Sequence, residues 1–351
     1  MSAPSTVLVT GGGGFIGSHT CVELLDHGYE VIVVDNYSNS SSQVFARVER
    51  VAGRFVGAVY DLDIRDRHAL SAVFDRHTVD AVLHFAGLKS ASESLRRPVE
   101  YYDVNVGGTM ALLGAMHAHG VHQLVYSSSC SVYGAAGPGP IREDAPARPG
   151  HPYAETKWTC EQILADVCRR HPEYSVLCMR YFNPVGAHPS GLLGEDPRGT
   201  PDNLMPYLAQ VAVGRHPRLN VRGGDYPTRD GTAVRDYLHV MDCVEAYRMA
   251  LDHLADRRGL QVFNLARGKG SSVLDVVDTF SRTCGLQVPY EVAQRRPGDV
   301  AELIADVSAA DRAWGWRPTR DLADMCRDSW RFQQLNPLGY AGSARRRKPS
   351  D

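Results

Sequence analysis

A short apolar run that ends in glycines constrains this chain more than any other feature. "TVLVT" at 6–10 passes directly into "GGGGFIGSH" at 11–19. The run is β-favouring and reads as a strand buried on both faces. The glycines after it satisfy G-x-G-x-x-G at Gly12, Gly14 and Gly17, and T-G-x-x-G-x-x-G at Thr10, Gly11, Gly14 and Gly17. Glycine is needed where the backbone turns tightly after a strand, approaches a pyrophosphate and lets the next helix pack closely. The helix start then offers amide donors and the positive end of its dipole to phosphates. A glycine run alone is as readily a flexible turn. Here a strand precedes it, a helical stretch follows, and Asp35 closes the next strand 18 residues beyond Gly17. A carboxylate there accepts from both ribose hydroxyls and repels a 2′-phosphate, so the expected dinucleotide is NAD.

The rest of the first half repeats the rhythm. "EVIVVD" (30–35), "AVLHFA" (81–86), "HQLVYSSS" (122–129) and "SVLCMRYF" (175–182) read as further strands, and 17–28, 43–52, 66–77, 98–119 and 153–171 as helices. Such alternation predicts an α/β protein with a doubly wound parallel sheet, a Rossmann-like NAD domain over 1–183. After 183 Gly and Pro become dense and no regular β-α rhythm follows. A smaller α/β substrate domain is expected over 184–338, with segments able to return to the first, and a disordered tail over 339–351. The basic cluster Arg345–Lys348 in that tail reads as a solvated end.

Composition narrows the function classes. A net charge of −2 gives no electrostatic reason to expect nucleic acid or an anionic membrane as partner. Eight cysteines are scattered without a C-x-x-C pair, so neither a metal site nor a disulfide framework is expected, and reduced thiols in the cytoplasm are the plain reading. No run reaches about 18 apolar residues, and the N-terminus carries no apolar signal segment.

"HPYAETK" at 151–157 supplies the chemistry. Tyr153 and Lys157 lie one helical turn apart on one face, which is also a common accident on a surface helix. With NAD placed by the first half, the pair acquires a task. Hydride removal from a carbinol needs a base for the hydroxyl proton, and a phenol with a reference pKa of about 10 is a poor one. A neighbouring ammonium and the positive nicotinamide should lower that pKa. A hydroxyl from "SSSCSVYG" (127–134), at the end of a parallel strand, completes the set.

Taken in this order, the glycine motif, the serine run and Tyr-x-x-x-Lys resemble the extended short-chain dehydrogenase/reductase family. "HFAGLKS", "PYAETK", "RYFNPVGAHPSG", "NLMPY" and "GTAVRDYLHVMD" are similar to its UDP-glucose 4-epimerase branch, over residue 6 to about 330. The resemblance implies Tyr153 as base, Lys157 on the nicotinamide ribose, and Ser129 bridging to the sugar's 4-oxygen. Phe15 and Ile16 would meet the pyrophosphate through their amides, Asp35 and Asn36 the adenosine ribose, and Asp63 and Ile64 the adenine. Phe85, Ala86, Gly87, Lys89, Asn105 and Phe182 would line the cofactor. On the substrate side it implies Asn183, Asn203, Leu204, Arg235, Arg296 and Asp299, with Leu303 walling the pocket beside the sugar's 2-substituent. The activity implied is interconversion of UDP-glucose and UDP-galactose through a bound 4-keto sugar, with weaker turnover of the N-acetylated pair. A homodimer paired through 98–119 and 153–171 is also implied.

Three positions depart from the branch: Arg222 stands where Phe is frequent beside the uracil, Leu303 where Tyr or a small residue is frequent, and Cys130-Ser131 where Ala-Thr is common. Two rival readings share these residues. A nucleotide-sugar 4,6-dehydratase needs an acid beside the serine, where this chain has Cys130 and Ser131. A non-catalytic NAD-binding regulator tends to lose Tyr or Lys, and both are present.

Overall fold

The computed structural model describes residues 5–137, 139–296 and 298–340. The Arg345–Lys348 cluster and the expected tail from 341 onward lie outside the described residues.

The first half follows the expected alternation: β1 (Thr6–Thr10), α1 (Phe15–Asp26), β2 (Glu30–Asp35), α2 (Gln43–Ala52), β3 (Ala58–Asp61), α3 (Arg67–Arg76) and β4 (Ala81–His84). Side-chain alternation divides the layers on the two faces of the sheet. Val7 and Val9 enter the core under α1 and α2, while Leu8 enters the opposite core with Leu70 and Phe74 of α3. All three β1 residues are fully buried, each side chain contributing about 1.5–3 kcal/mol. The short strand β3 is absent from the sequence expectation. Its residues alternate between half-buried and exposed at the sheet edge, so no continuous apolar run marks it.

The single helix expected over 98–119 is instead three pieces. After the short α4 (Ala91–Ser94) come α5 (Pro98–Tyr101), a π-helical segment (Tyr102–Gly107) and α6 (Gly108–Ala118). Apolar spacing cannot reveal a local change of hydrogen-bond register. Next follow β5 (Gln123–Ser129), α7 (Pro152–Arg170) and β6 (Ser175–Tyr181). Pro152 occupies the first helical position of α7, where its missing N–H is no loss, and the His151 ring accepts from the Ala154 amide as the cap.

Beyond Phe182 the chain builds β7 (Asn183–Val185), α8 (Leu204–Ala212), β8 (Leu219–Arg222) and β9 (Val234–His239). It then returns to the first sheet. Helix α9 (Val240–Ala255) packs on α1, and β10 (Gly259–Leu265) pairs in parallel with β6. The expectation that regular β-α alternation stops at 183 is therefore corrected: one further helix–strand unit sits inside the second half, hidden by the loops before it. The last elements are β11 (Gly270–Ser272), α10 (Val273–Cys284), β12 (Tyr290–Ala293), β13 (Glu302–Leu303), α11 (Ser308–Trp314) and α12 (Leu322–Leu335).

The main sheet is seven parallel strands in the order β10-β6-β5-β4-β1-β2-β3. Strand order reverses between β1 and β4, so the crevice at their carboxyl ends is the binding position of the architecture. A second sheet, β11-β9-β13 with β7 also on β9, stands beside it, and β8 pairs with β12.

Candidate active site

At the switch point a cleft with about 1240 Å³ of empty space, its open mouth included, runs across the carboxyl ends of the strands. Its floor is the glycine turn. Gly11 has φ +72°, and a Cβ there would lie 2.6 Å from the Ala86 amide. A Cβ on Gly17 would run into the Gly11 carbonyl. A side chain at either position would thus collide with neighbouring backbone, so the tight turn and the close seating of α1 on the sheet require glycine. No side chain caps α1, so its first-turn amides at Phe15 and Ile16 face the cleft.

Asp35 closes β2 beside that turn. Its carboxylate accepts from the amides of Gly13 and Tyr37 and from the Ser40 hydroxyl, each at 2.8 Å. Asn36 donates to Asp63 at 3.0 Å, and Arg65 holds the Asp63 carboxyl down at about 2. Ile64, Phe85, Ala86 and Gly87 complete this wall. The buried Asn105 holds the wall from behind. Its amide accepts from Leu88 N–H at 2.8 Å and donates to the Leu88 carbonyl and the Thr156 hydroxyl.

The inner end carries the reactive groups. Tyr153 and Lys157 share the buried face of α7 with Thr156, Cys160 and Glu161. Lys157 Nζ donates to the Ser127 carbonyl at 2.6 Å and lies 4.8 Å over the Tyr126 ring. Burial lowers its pKa to about 8. Burial raises the Tyr153 phenol well above its ordinary value, as does the neighbouring Tyr181, while the Ser129 hydroxyl acts to lower it. Ser129 Oγ accepts from the Ser131 amide and hydroxyl, at 3.2 and 2.9 Å, which leaves its own proton free to donate. Cys130 is buried, its thiol pushed up to about 12.

Across the cleft stands the loop before α8. Lys89 Nζ and Asn203 Nδ2 both donate to the Glu195 carboxylate, at 2.8 and 3.0 Å. The Asn183 side-chain oxygen is buried without a partner among the described residues. Arg235 donates to the Val234 and Val300 carbonyls at 2.9 Å and lies 4.0 Å from Asp299. Arg296 reaches the Asp202 carbonyl at 3.5 Å.

Residues 7–266 match the NAD dependent epimerase/dehydratase family. The chain belongs to that family. A UDP-glucose 4-epimerase of Bacillus subtilis is 50% identical over 334 residues, 95% of this chain and 98% of that protein. A crystal structure of UDP-glucose 4-epimerase from Bifidobacterium longum, in complex with NAD+ and UDP, superposes with a TM-score of 0.93 at 47% identity, covering 95% and 99% of the two chains. The enzyme from Stenotrophomonas maltophila, with bound NAD and formylated UDP-arabinopyranose, gives 0.92 at 48% identity with the same coverage.

Within this family frame, the structure sorts the residues expected from sequence. Gly11, Gly14, Phe15, Ile16, Gly17, Asp35, Asn36, Asp63, Ile64, Phe85, Ala86, Gly87, Lys89 and Asn203 line the cleft. Of the other expected cofactor contacts, Ser129, Tyr153 and Lys157 do not line the cleft but adjoin it, Lys157 through the lining Ser127 and Tyr153 beside the lining Tyr181, while Asn105 and Phe182 stand behind its wall. Asn105 has its amide engaged by the 88 loop and Thr156, and Phe182 is buried with Tyr133, Ala266 and Ala305. Both support the wall from behind, because their neighbours in sequence face the opening. Leu204 begins α8 and packs on the second half's own core. In the chain by itself burial raises the Tyr153 phenol and Lys157 donates to the Ser127 carbonyl; the expected lowering belongs to the NAD-bound site, where the nicotinamide's charge adds to that of Lys157. Ser127, Tyr181 and Glu195 line the cleft and were not expected from sequence. The serine run was the available signal for Ser127; Glu195 enters only when its loop folds across.

Proposed function

We propose that the chain interconverts UDP-glucose and UDP-galactose, using NAD held in the cleft. The observation that carries the reading is the joining of one phenol, one ammonium and one donor hydroxyl to the end of a glycine-floored dinucleotide cleft. Gly11, Phe15, Ile16 and Asp35 would hold NAD in the cleft, where it would supply hydride chemistry at C4 of the hexose. Tyr153 takes the 4-hydroxyl proton and later gives it back. Ser129, with its proton free, donates to the sugar oxygen and steadies the keto form. Lys157, when protonated, offsets the cost of phenolate in a buried site. Asp35 leaves no room for a 2′-phosphate and offers no cation to meet one, which favours NAD over NADP.

The Glu195 carboxylate, Asn183, Asn203, Arg235, Arg296 and Asp299 are assigned to the UDP end. The planar fork of arginine suits a diphosphate. An epimerase must keep the nucleotide fixed while the hexose turns over, and that is the task assigned to these polar groups. Removal of water from C5 and C6 would need an acid beside Ser129. Cys130 and Ser131 stand there, so the dehydratase reading lacks its proton source.

A homodimer is part of this reading. Val99, Tyr102 and Met110, on the run from α5 to α6, are exposed at 81%, 41% and 47%, and a second copy would cover them. Purified protein incubated with UDP-galactose and no added cofactor should give UDP-glucose with no net accumulation of NADH. Absence of the product when NAD is demonstrably bound would overturn the assignment.

A further inference from the structure

At the end of the main sheet opposite the cleft, three potential metal ligands converge from separate elements. His117 lies in the last turn of α6, His171 caps the C-terminus of α7, and Glu173 lies in the turn that leads into β6. Their ligand atoms all lie within 4.8 Å of one another. The His117 and His171 rings are 4.9 Å apart, and His171 Nδ1 is 3.5 Å from the Glu173 carboxylate. Among the described residues no hydrogen bond to the His117 ring is present.

We propose that His117, His171 and Glu173 form a surface site for a late first-row divalent cation, of which Zn²⁺ is the reference ion. Two imidazoles and one carboxylate with a fourth position open to water is a recognised zinc donor set. Tetrahedral bonds of about 2.0–2.2 Å bring ligand atoms to roughly 3.3–3.6 Å from one another. All three side chains are exposed or half-exposed, so rotation about their χ angles closes the remaining gap. The wall behind them is packed protein. Tyr174 is buried, and its ring lies 6.4 Å from that of His117 and 6.2 Å from that of His171. The ends of α6 and α7 add the negative poles of two helix dipoles, which favour a cation. Strands β5 and β6 each run seven residues from this end to the cleft, roughly 23 Å. The ion is therefore remote from the chemistry and acts as a clip across α6, α7 and the start of β6.

The test uses full-length, tag-free protein stripped of metal and kept reduced. Titration with ZnCl₂ should show one ion per chain. His117→Ala and His171→Ala should each weaken binding at least 10-fold, and Glu173→Gln should weaken it less. Zn²⁺ should raise the Tm of the wild type and leave that of the histidine variants unmoved. Co²⁺ should give the intense visible bands of a four-coordinate site in the wild type alone. Binding that is undiminished in both histidine variants, or a wild type that binds no more Zn²⁺ than they do, overturns the proposal.

Discussion

A phenol removed from water resists ionisation, and Tyr153 is nearly fully buried at the inner end of the cleft. Its competence as a base therefore depends on the charges that arrive beside it, of which Lys157 is the one the chain supplies. Tyr153→Phe removes only the hydroxyl, so fold and bound NAD should be retained while turnover falls by about 10²–10⁴-fold. Initial rates, with bound dinucleotide read by absorbance, check this; near-wild-type turnover contradicts the assignment. For Leu303 we propose a finer role, as the wall beside the sugar's 2-substituent. It lies in register with Arg235 and packs against the cluster that holds Cys130, Tyr133 and Phe182. A branched leucine is shorter than tyrosine and leaves part of the room an N-acetyl group needs. Overfilling such a pocket costs about 1–3 kcal/mol. Leu303→Tyr should abolish turnover of the N-acetylated UDP-sugars and spare the glucose–galactose pair; equal N-acetyl activity in both proteins contradicts the role.

Elements hold these residues in place through polar contacts that no periodicity reveals. Glu161, two turns along α7 from Tyr153, accepts from the Ser128 hydroxyl at 2.5 Å and from the Arg180 guanidinium of β6. Arg180 also donates to the Tyr133 hydroxyl at 2.9 Å, and Tyr133 donates to Asn264 of β10. Helix α7 and strands β5, β6 and β10 are thus joined by one buried network directly behind Ser129. Removing one member of a buried ion pair leaves the other charged and unpaired, at a cost of about 3–5 kcal/mol. Arg180→Met should lower unfolding stability by that amount in urea titrations. The double variant Arg180→Met, Glu161→Met should recover much of it, since the stranded charge is gone; an equally unstable double variant contradicts the account. The main helices of the first half were legible as amphipathic stretches between the apolar runs, while those after 183 had no such frame. The π-helical segment was not, although it turns Asn105 onto the loop at 88.

For the whole molecule the buried histidines set the acid limit. His84 bridges Thr10 of β1 and Thr109 of α6 at 2.7 and 2.9 Å, and Thr109 in turn donates to the Asn105 carbonyl. Neutral His84 therefore donates from Nε2 and accepts at Nδ1. Burial depresses His84 and His19 from 6.5 to about 3. Unfolded chains bind those protons below 6.5 and the native state does not, so stability falls as pH drops toward 3, by about 1.4 kcal/mol per unit for each histidine. Asp236 acts with the opposite sign. Burial raises it from 3.8 to about 6, so acidification between those values favours the native state. Burial also lowers His151 and His188, while Asp26, Asp196 and His119 are raised and act with Asp236; the lowered histidines, which titrate near 6.5 in the unfolded chain, prevail between pH 7 and pH 5. Urea unfolding at pH 7 and pH 5 should show lower stability at pH 5; higher stability there contradicts the balance. Among the described residues no helix is long and apolar enough to cross a membrane.

The glycine cradle, the Asp35 position, the Tyr153–Lys157 turn and the parallel alternation could be read from residue order, because each is a local pattern whose geometry a few neighbouring residues dictate. What lies behind and across them emerged only on folding. Strand β3 is too short and half-exposed to announce itself, and β10 reaches the sheet from beyond a long loop-rich stretch. Glu195 meets Lys89 across 106 residues of chain, and Arg180 meets Glu161 inside a core that has to form first. Contacts of that kind depend on packing between distant segments. The ionisation of Tyr153 belongs with them, since burial is a property of the assembled fold and no residue spacing encodes it.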